Sequence, residues 1–115
     1  SPNAEDLLRI RKEFEMDASE IRKILAHPPF KKAYEGTFDA WDPVKTAPQG
    51  FSKDDPNIDL IRLKNFVVTH SFTDAEVLAP DFAETVVHHF ELLRPFFDYM
   101  SEVLTTDLNG VSTIS

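Results

Sequence analysis

The longest hydrophobic pattern in the chain runs from Asp81 to Leu104 and repeats with the period of an α-helix. At that period Phe82, Val86, His89, Phe90, Leu93, Phe96, Phe97, Met100, Val103 and Leu104 gather in one broad stripe. Glu84, His88, Glu91, Arg94, Asp98, Ser101 and Glu102 fall on the other side. Four of the ten Phe lie in the stripe, so the pattern predicts a long helix, capped by Asp81, that presses on the rest of the domain to hide them. Pro95 removes the donor that would reach the Glu91 carbonyl. That predicts a kink near Glu91–Leu92, costing about 3 kcal/mol unless the two Phe that follow recover it by packing.

Shorter patterns precede it. Asn3 is placed as the N-cap of a helix through about Glu15, with Glu5 and Asp6 favourable to its dipole. Ala4, Leu7, Leu8, Ile10 and Phe14 share its apolar face, and Arg11 falls in the middle of that face. Either its stem snorkels past the apolar rim or pairs with a partly buried carboxylate, or it holds an anionic group. The sequence D-A-S-E from Asp17 reads as a capping box for a second helix, with Ile21, Ile24 and Leu25 inward. His27, Pro28 and Pro29 end it, and Pro29 opens a short third helix through Tyr34, with Gly36 as its stop.

Thr37 to Pro56 is rich in proline yet carries Phe38, Trp41 and Phe51, which predicts an ordered loop pinned by aromatics, with a short strand near Val44–Ala47. Asp55 and Pro56 cap a turn or two of helix from Asn57 to about Leu63. Asn65 to Phe72, with its β-branched and aromatic residues, is the clearest predicted strand. Thr73 to Glu76 is a second capping box, opening a short helical turn that Pro80 closes. The expected architecture is therefore α+β and mainly helical: three short N-terminal helices, a Pro-rich loop, one or two short strands and a long kinked C-terminal helix. Residues 1–104 form one globular domain on this reading, and 105–115 a flexible tail without hydrophobic period.

At 115 residues with 42% hydrophobic content the chain can build a core without staples. It has no cysteine, which excludes disulfides, Cys-based zinc sites and thiol catalysis. The net charge of −8 comes wholly from residues 36–115, which hold thirteen acidic and five basic residues, and it argues against nucleic acid or an anionic membrane as partner. No apolar run is long enough to span a bilayer. A soluble, cytoplasmic protein is expected, and the non-Met start SPNAED suggests a processed product or a fragment.

Candidate chemistry is sparse. Glu84, His88 and Glu91 form a helical row that reads better as surface ion pairing than as a metal site. His89 points into the apolar stripe as a core residue, and His70 sits at a strand end. No two histidines have ligand spacing, so neither a metal nor any cofactor is expected. No nucleophile elbow, P-loop or dinucleotide fingerprint occurs. The stretch Lys45 to Lys64 is what remains, with Lys45, Lys53, Arg62 and Lys64 around Gly50 and the Asp54–Asp55–Pro56 cap; a loop stitched to the core is its plainer alternative.

Within this stretch the sequence resembles the DUF2461 family, a domain of unknown function. The likeness is carried by KTAPQGFSKDDP (Lys45–Pro56), by Ile58, Leu60, Ile61, Arg62, Leu63, Lys64 and Phe66, and by Phe72 to Leu78. It continues through Asp81–Phe82 to Arg94–Pro95–Phe96, and Leu7 to Arg11 resembles the start of the family's conserved C-terminal part. Family members carry His where this chain has Asp55, so no role of that imidazole transfers. The resemblance implies a soluble bacterial protein of which this chain is the C-terminal portion, with the most recognisable polar motifs in a missing N-terminal half. Two functional readings follow. The first is a non-catalytic scaffold or docking portion whose partner is that N-terminal half or a second copy. The second is half of a small-anion-binding or enzymatic site, with Arg11, Lys45, Asp54 and Lys64 as its ligand-binding groups.

Overall fold

The computed structural model describes residues 3–34, 41–66, 68 and 70–106. Its helices are α1 (Ala4–Met16), α2 (Ser19–Ala26), α3 (Pro28–Ala33), α4 (Ile58–Ile61), α5 (Asp74–Leu78) and α6 (Phe82–Thr105). The caps follow the side-chain chemistry in three places. Asn3 Oδ1 accepts from the Asp6 backbone N–H at 2.8 Å, Thr73 and Glu76 close a reciprocal capping box, and Pro28 and Pro29 occupy the first turn of α3. The expected box at Asp17 does not form. Its carboxylate accepts from Ser19 two residues on, making a tight side-chain turn instead of reaching the third residue, and α2 starts without a side-chain cap. Asp81 takes the N-cap position of α6 without capping through its side chain, and α6 runs unbroken through Pro95.

The α+β expectation is not met: the described residues form helices and no sheet. Residues 44–47 are coil and bend, tied to the chain beyond α4 where the Val44 N–H donates to the Arg62 carbonyl at 2.8 Å. The described residues of the Asn65–Phe72 segment are irregular (Val67 and Thr69 lie outside the described set). Every second residue from Phe66 nevertheless makes a ring or core contact. Phe66 meets Phe14 and Trp41 with ring centroids at 6.0 and 5.2 Å, Val68 packs on the core, and His70 and Phe72 meet Tyr34, Phe82 and His89. Alternation says which side chains share a face. A strand also needs a neighbouring strand to complete its ladder, and the described residues supply none.

The core sits where α1, α2 and α3 close on the C-terminal part of α6 and α4 packs on α1. Ile10, Phe14, Ile21, Phe30, Ile61 and Phe96 are all buried there. Trp41 lies between Phe66 and Phe96, so the loop feeds its indole into the middle of the helical layer. Polar ties complete the frame. Arg22 grips Asp59 with two bonds of 2.7 and 3.1 Å, joining α2 to α4, and Arg9 Nε donates to the Thr106 carbonyl at 2.9 Å, joining α1 to the end of α6. Of the expected tail, Thr105 closes α6 and Thr106 is held by Arg9, while 107–115 lie outside the described residues.

Candidate functional site

The helical stripe of α6 is wider than the surface that covers it. Phe96, Tyr99 and Val103 are buried, whereas Phe90 is 64% and Phe97 52% exposed. With Leu104, itself 37% exposed, they lie seven residues apart, and that spacing returns to nearly the same edge of a helix. Two of the four Phe that the pattern expects to be hidden are therefore open. The described elements that pack on α6 are α1, α2, α3 and the short α5, and they leave Phe90 and Phe97 uncovered. Val87 on α6 and Val77 and Leu78 on α5 add further exposed apolar surface.

At the N-terminal half of α6 the same edge borders a crevice of about 170 Å³. Val68 and Phe72 form one wall, and Val86, Phe90 and Leu93 of α6 form the other. Three polar side chains line it. Tyr34, at the end of α3, is buried and places its hydroxyl 3.3 Å from both the Nδ1 and the carbonyl oxygen of His89. It has one proton to donate and two lone pairs with which to accept. The His70 ring stacks on His89 at 4.1 Å between centroids and an interplanar angle of 29°. His70 Nδ1 lies 2.8 Å from the Ala33 carbonyl oxygen, which can only accept, so Nδ1 carries a hydrogen and the neutral ring keeps an accepting lone pair on Nε2.

Burial, and secondarily the nearby His70 and His88, hold His89 below its ordinary value of 6.5, with Glu76 opposing weakly. Burial also pushes the Tyr34 phenol up. Both shifts favour the uncharged forms of His89 and Tyr34. The sign for stability follows: the unfolded chain binds a proton at His89 at a higher pH than the folded chain does. Stability is therefore complete above about pH 6.5 and declines as the pH falls from there toward the lower folded value. Melting at about pH 8 and about pH 5.5 should show a lower midpoint in acid, and His89→Gln should shrink that difference. Asp17 and Glu76, both pulled below their ordinary values by hydrogen bonds, lose their contributions at lower pH and do not blur this window.

From sequence the two histidines stand apart, one a core residue and one a strand end. The structure brings them together, and the placing of Phe66, Val68, His70 and Phe72 at every second position is the signal that sets His70, itself exposed, on the side of the segment facing α6. Stacked imidazoles present parallel faces rather than convergent lone pairs. No group of three His, Asp or Glu side chains among the described residues is arranged to hold a metal. Among the described residues His88 forms no ion pair with Glu84 or Glu91 despite their helical spacing.

The residues singled out from sequence have separate attachments. Arg11 Nε donates to the Ile61 carbonyl at 2.8 Å and its Nη2 to the Leu63 carbonyl at 3.3 Å, so it is half-buried against the end of α4. Lys64 Nζ lies 3.1 Å from Asp42 Oδ2 at the surface. Lys45 is exposed, and Asp54 is exposed in a turn where its backbone N–H donates to Ser52 Oγ. None of the four lines the crevice beside α6.

A family model described as "Conserved hypothetical protein (DUF2461)" matches residues 1–99. No curated protein and no solved structure matches the chain. No helix among the described residues is long and apolar enough to cross a membrane.

Proposed function

Because the chain belongs to the DUF2461 family, we propose that it works as a non-catalytic docking portion of a larger protein, with the Phe90–Phe97–Leu104 edge of α6 as its seat. The observation that carries this reading is that edge itself: large apolar side chains in register along a helix, open on the side away from the core. A seam of this spacing, about 21 Å long over two heptads, suits a second helix laid nearly parallel or antiparallel to α6. Covering the open parts of Phe90 and Phe97 would contribute roughly 2–3 kcal/mol per face. The occupant proposed is an N-terminal half of the same protein. A second copy takes its place when the chain is studied alone.

Self-association is therefore the expected behaviour of the isolated chain. Its thermal midpoint should climb by several degrees for each tenfold rise in concentration. The double substitution Phe97→Glu with Leu104→Glu should leave a monomer whose midpoint no longer moves. Sedimentation equilibrium on the same samples checks the mass. A monomer with a fixed midpoint up to several hundred micromolar would remove the seat.

The rival reading, half of an anion-binding or enzymatic site built on Arg11, Lys45, Asp54 and Lys64, requires the Arg11 guanidinium to leave the carbonyls of Ile61 and Leu63. Stability and binding respond oppositely to removal of Arg11 under the two readings, which makes that residue the point of decision.

A further inference from the structure

The crevice beside α6 has the features of a small-molecule site: a concave apolar lining, a few polar groups, and a volume that suits one ring. We propose that it binds a small monocyclic phenol, its ring between Phe72 and the Val86–Phe90 turn of α6 and its hydroxyl donated to Nε2 of His70. Three observations carry this. The cavity of about 170 Å³ is close to the roughly 150 Å³ at which an apolar protein cavity accommodates benzene. Its walls are aromatic and aliphatic, with Phe72 already set edge-on to both Phe82 and His89, a geometry that a further ring can extend. The polar groups offer lone pairs: among the described residues Nε2 of His70 has no hydrogen-bond partner, and the Tyr34 oxygen can accept as well as donate. The free lone pair on Nε2 of the exposed His70 favours a ligand that brings a donor over one, such as a carboxylate, that brings only more lone pairs.

The crevice shares Phe90 with the docking seat, whose outer residues Phe97 and Leu104 do not line it. The test follows the His70 and His89 imidazole C–H resonances by NMR at about pH 7.5 while phenol, anisole, toluene or benzoate is added. It is run on the unmodified chain and on Phe97→Glu, so that a crevice closed by self-association is not mistaken for one without affinity. Phenol should shift both rings saturably in Phe97→Glu, with a dissociation constant on the order of a millimolar. Anisole, which keeps the ring and oxygen but lacks the O–H, should bind about tenfold more weakly. His70→Phe, which keeps a ring on His89 and removes the acceptor, should bring phenol down to the level of toluene. Absence of saturable shifts with phenol in Phe97→Glu would overturn the site. Equal binding of phenol and anisole, or tighter binding of benzoate, would overturn the ligand class.

Discussion

Phe96→Ala is expected to cost about 3–5 kcal/mol and to lower the thermal midpoint by roughly 15 °C. Phe96 is buried at the point where α3, the loop carrying Trp41 and α6 meet, with ring centroids 6.1 Å from Phe30 and 5.8 Å from Trp41. Truncation removes the transfer energy of a full aromatic side chain. It also leaves a cavity that three separate segments would have to move to fill. A loss of that size is a large share of the roughly 5–15 kcal/mol that typically holds a domain together. The neighbouring Phe97, one residue on but 52% exposed, supplies the control: Phe97→Ala should cost under about 1 kcal/mol at dilutions where the chain is monomeric. Urea unfolding at low temperature measures both. Similar costs at the two positions would mean that the stripe of α6 is covered on both edges and that the open edge does not exist in solution.

That contrast also marks what is legible in the chain and what is not. Hydrophobic period identifies α6 within a residue or two and defines its stripe. It cannot say how much of a stripe is covered, because coverage depends on how many partners arrive, and Phe90 and Phe97 repeat as regularly as Phe96 and Val103. Capping chemistry is legible where the motif is local and unopposed, at Asn3 and Thr73. At Asp17 the carboxylate finds a nearer donor in Ser19, and the same letters make a different turn. In the segment from Asn65 to Phe72 the β-branched and aromatic residues suggest a strand that the described residues do not form, since a ladder is a property of two segments.

The candidate site shows the same division. His70 and His89 are nineteen positions apart, and only His89 carries a visible sign of facing inward; the stack depends on α5 turning the chain back so that the described part of the 66–72 segment meets α6. The cations singled out from sequence cluster along the chain, which is a weak guide to clustering in space. Arg22, outside that cluster, makes the two-pronged contact with Asp59, and Lys64 ends on Asp42 at the surface.

Arg11→Ala is the second large effect expected, at about 2–3 kcal/mol, or roughly 10 °C in midpoint. α4 is a four-residue helix whose Ile58 and Leu60 carbonyls accept from the backbone N–H groups of Arg62 and Leu63, and Arg11 supplies donors to the carbonyls of Ile61 at its last residue and of Leu63 beyond it. Both acceptors belong to residues whose side chains are buried in the core, which limits the water that could replace the guanidinium. Burial lowers the Arg11 pKa from its ordinary value, as expected for a cation drawn partly out of solvent and held by neutral carbonyls rather than by a carboxylate. Arg11→Lys keeps the charge but not the planar fork that spans two carbonyls, and should lose about half as much. Lys64→Ala, at an exposed pair, should cost under about 0.5 kcal/mol. A stability order of unmodified chain, Lys64→Ala, Arg11→Lys, Arg11→Ala assigns Arg11 to holding α4 on α1. If Arg11→Ala instead melts with the unmodified chain, the guanidinium is not needed by the fold. The anion-site reading of Arg11, Lys45, Asp54 and Lys64 would then displace the docking reading.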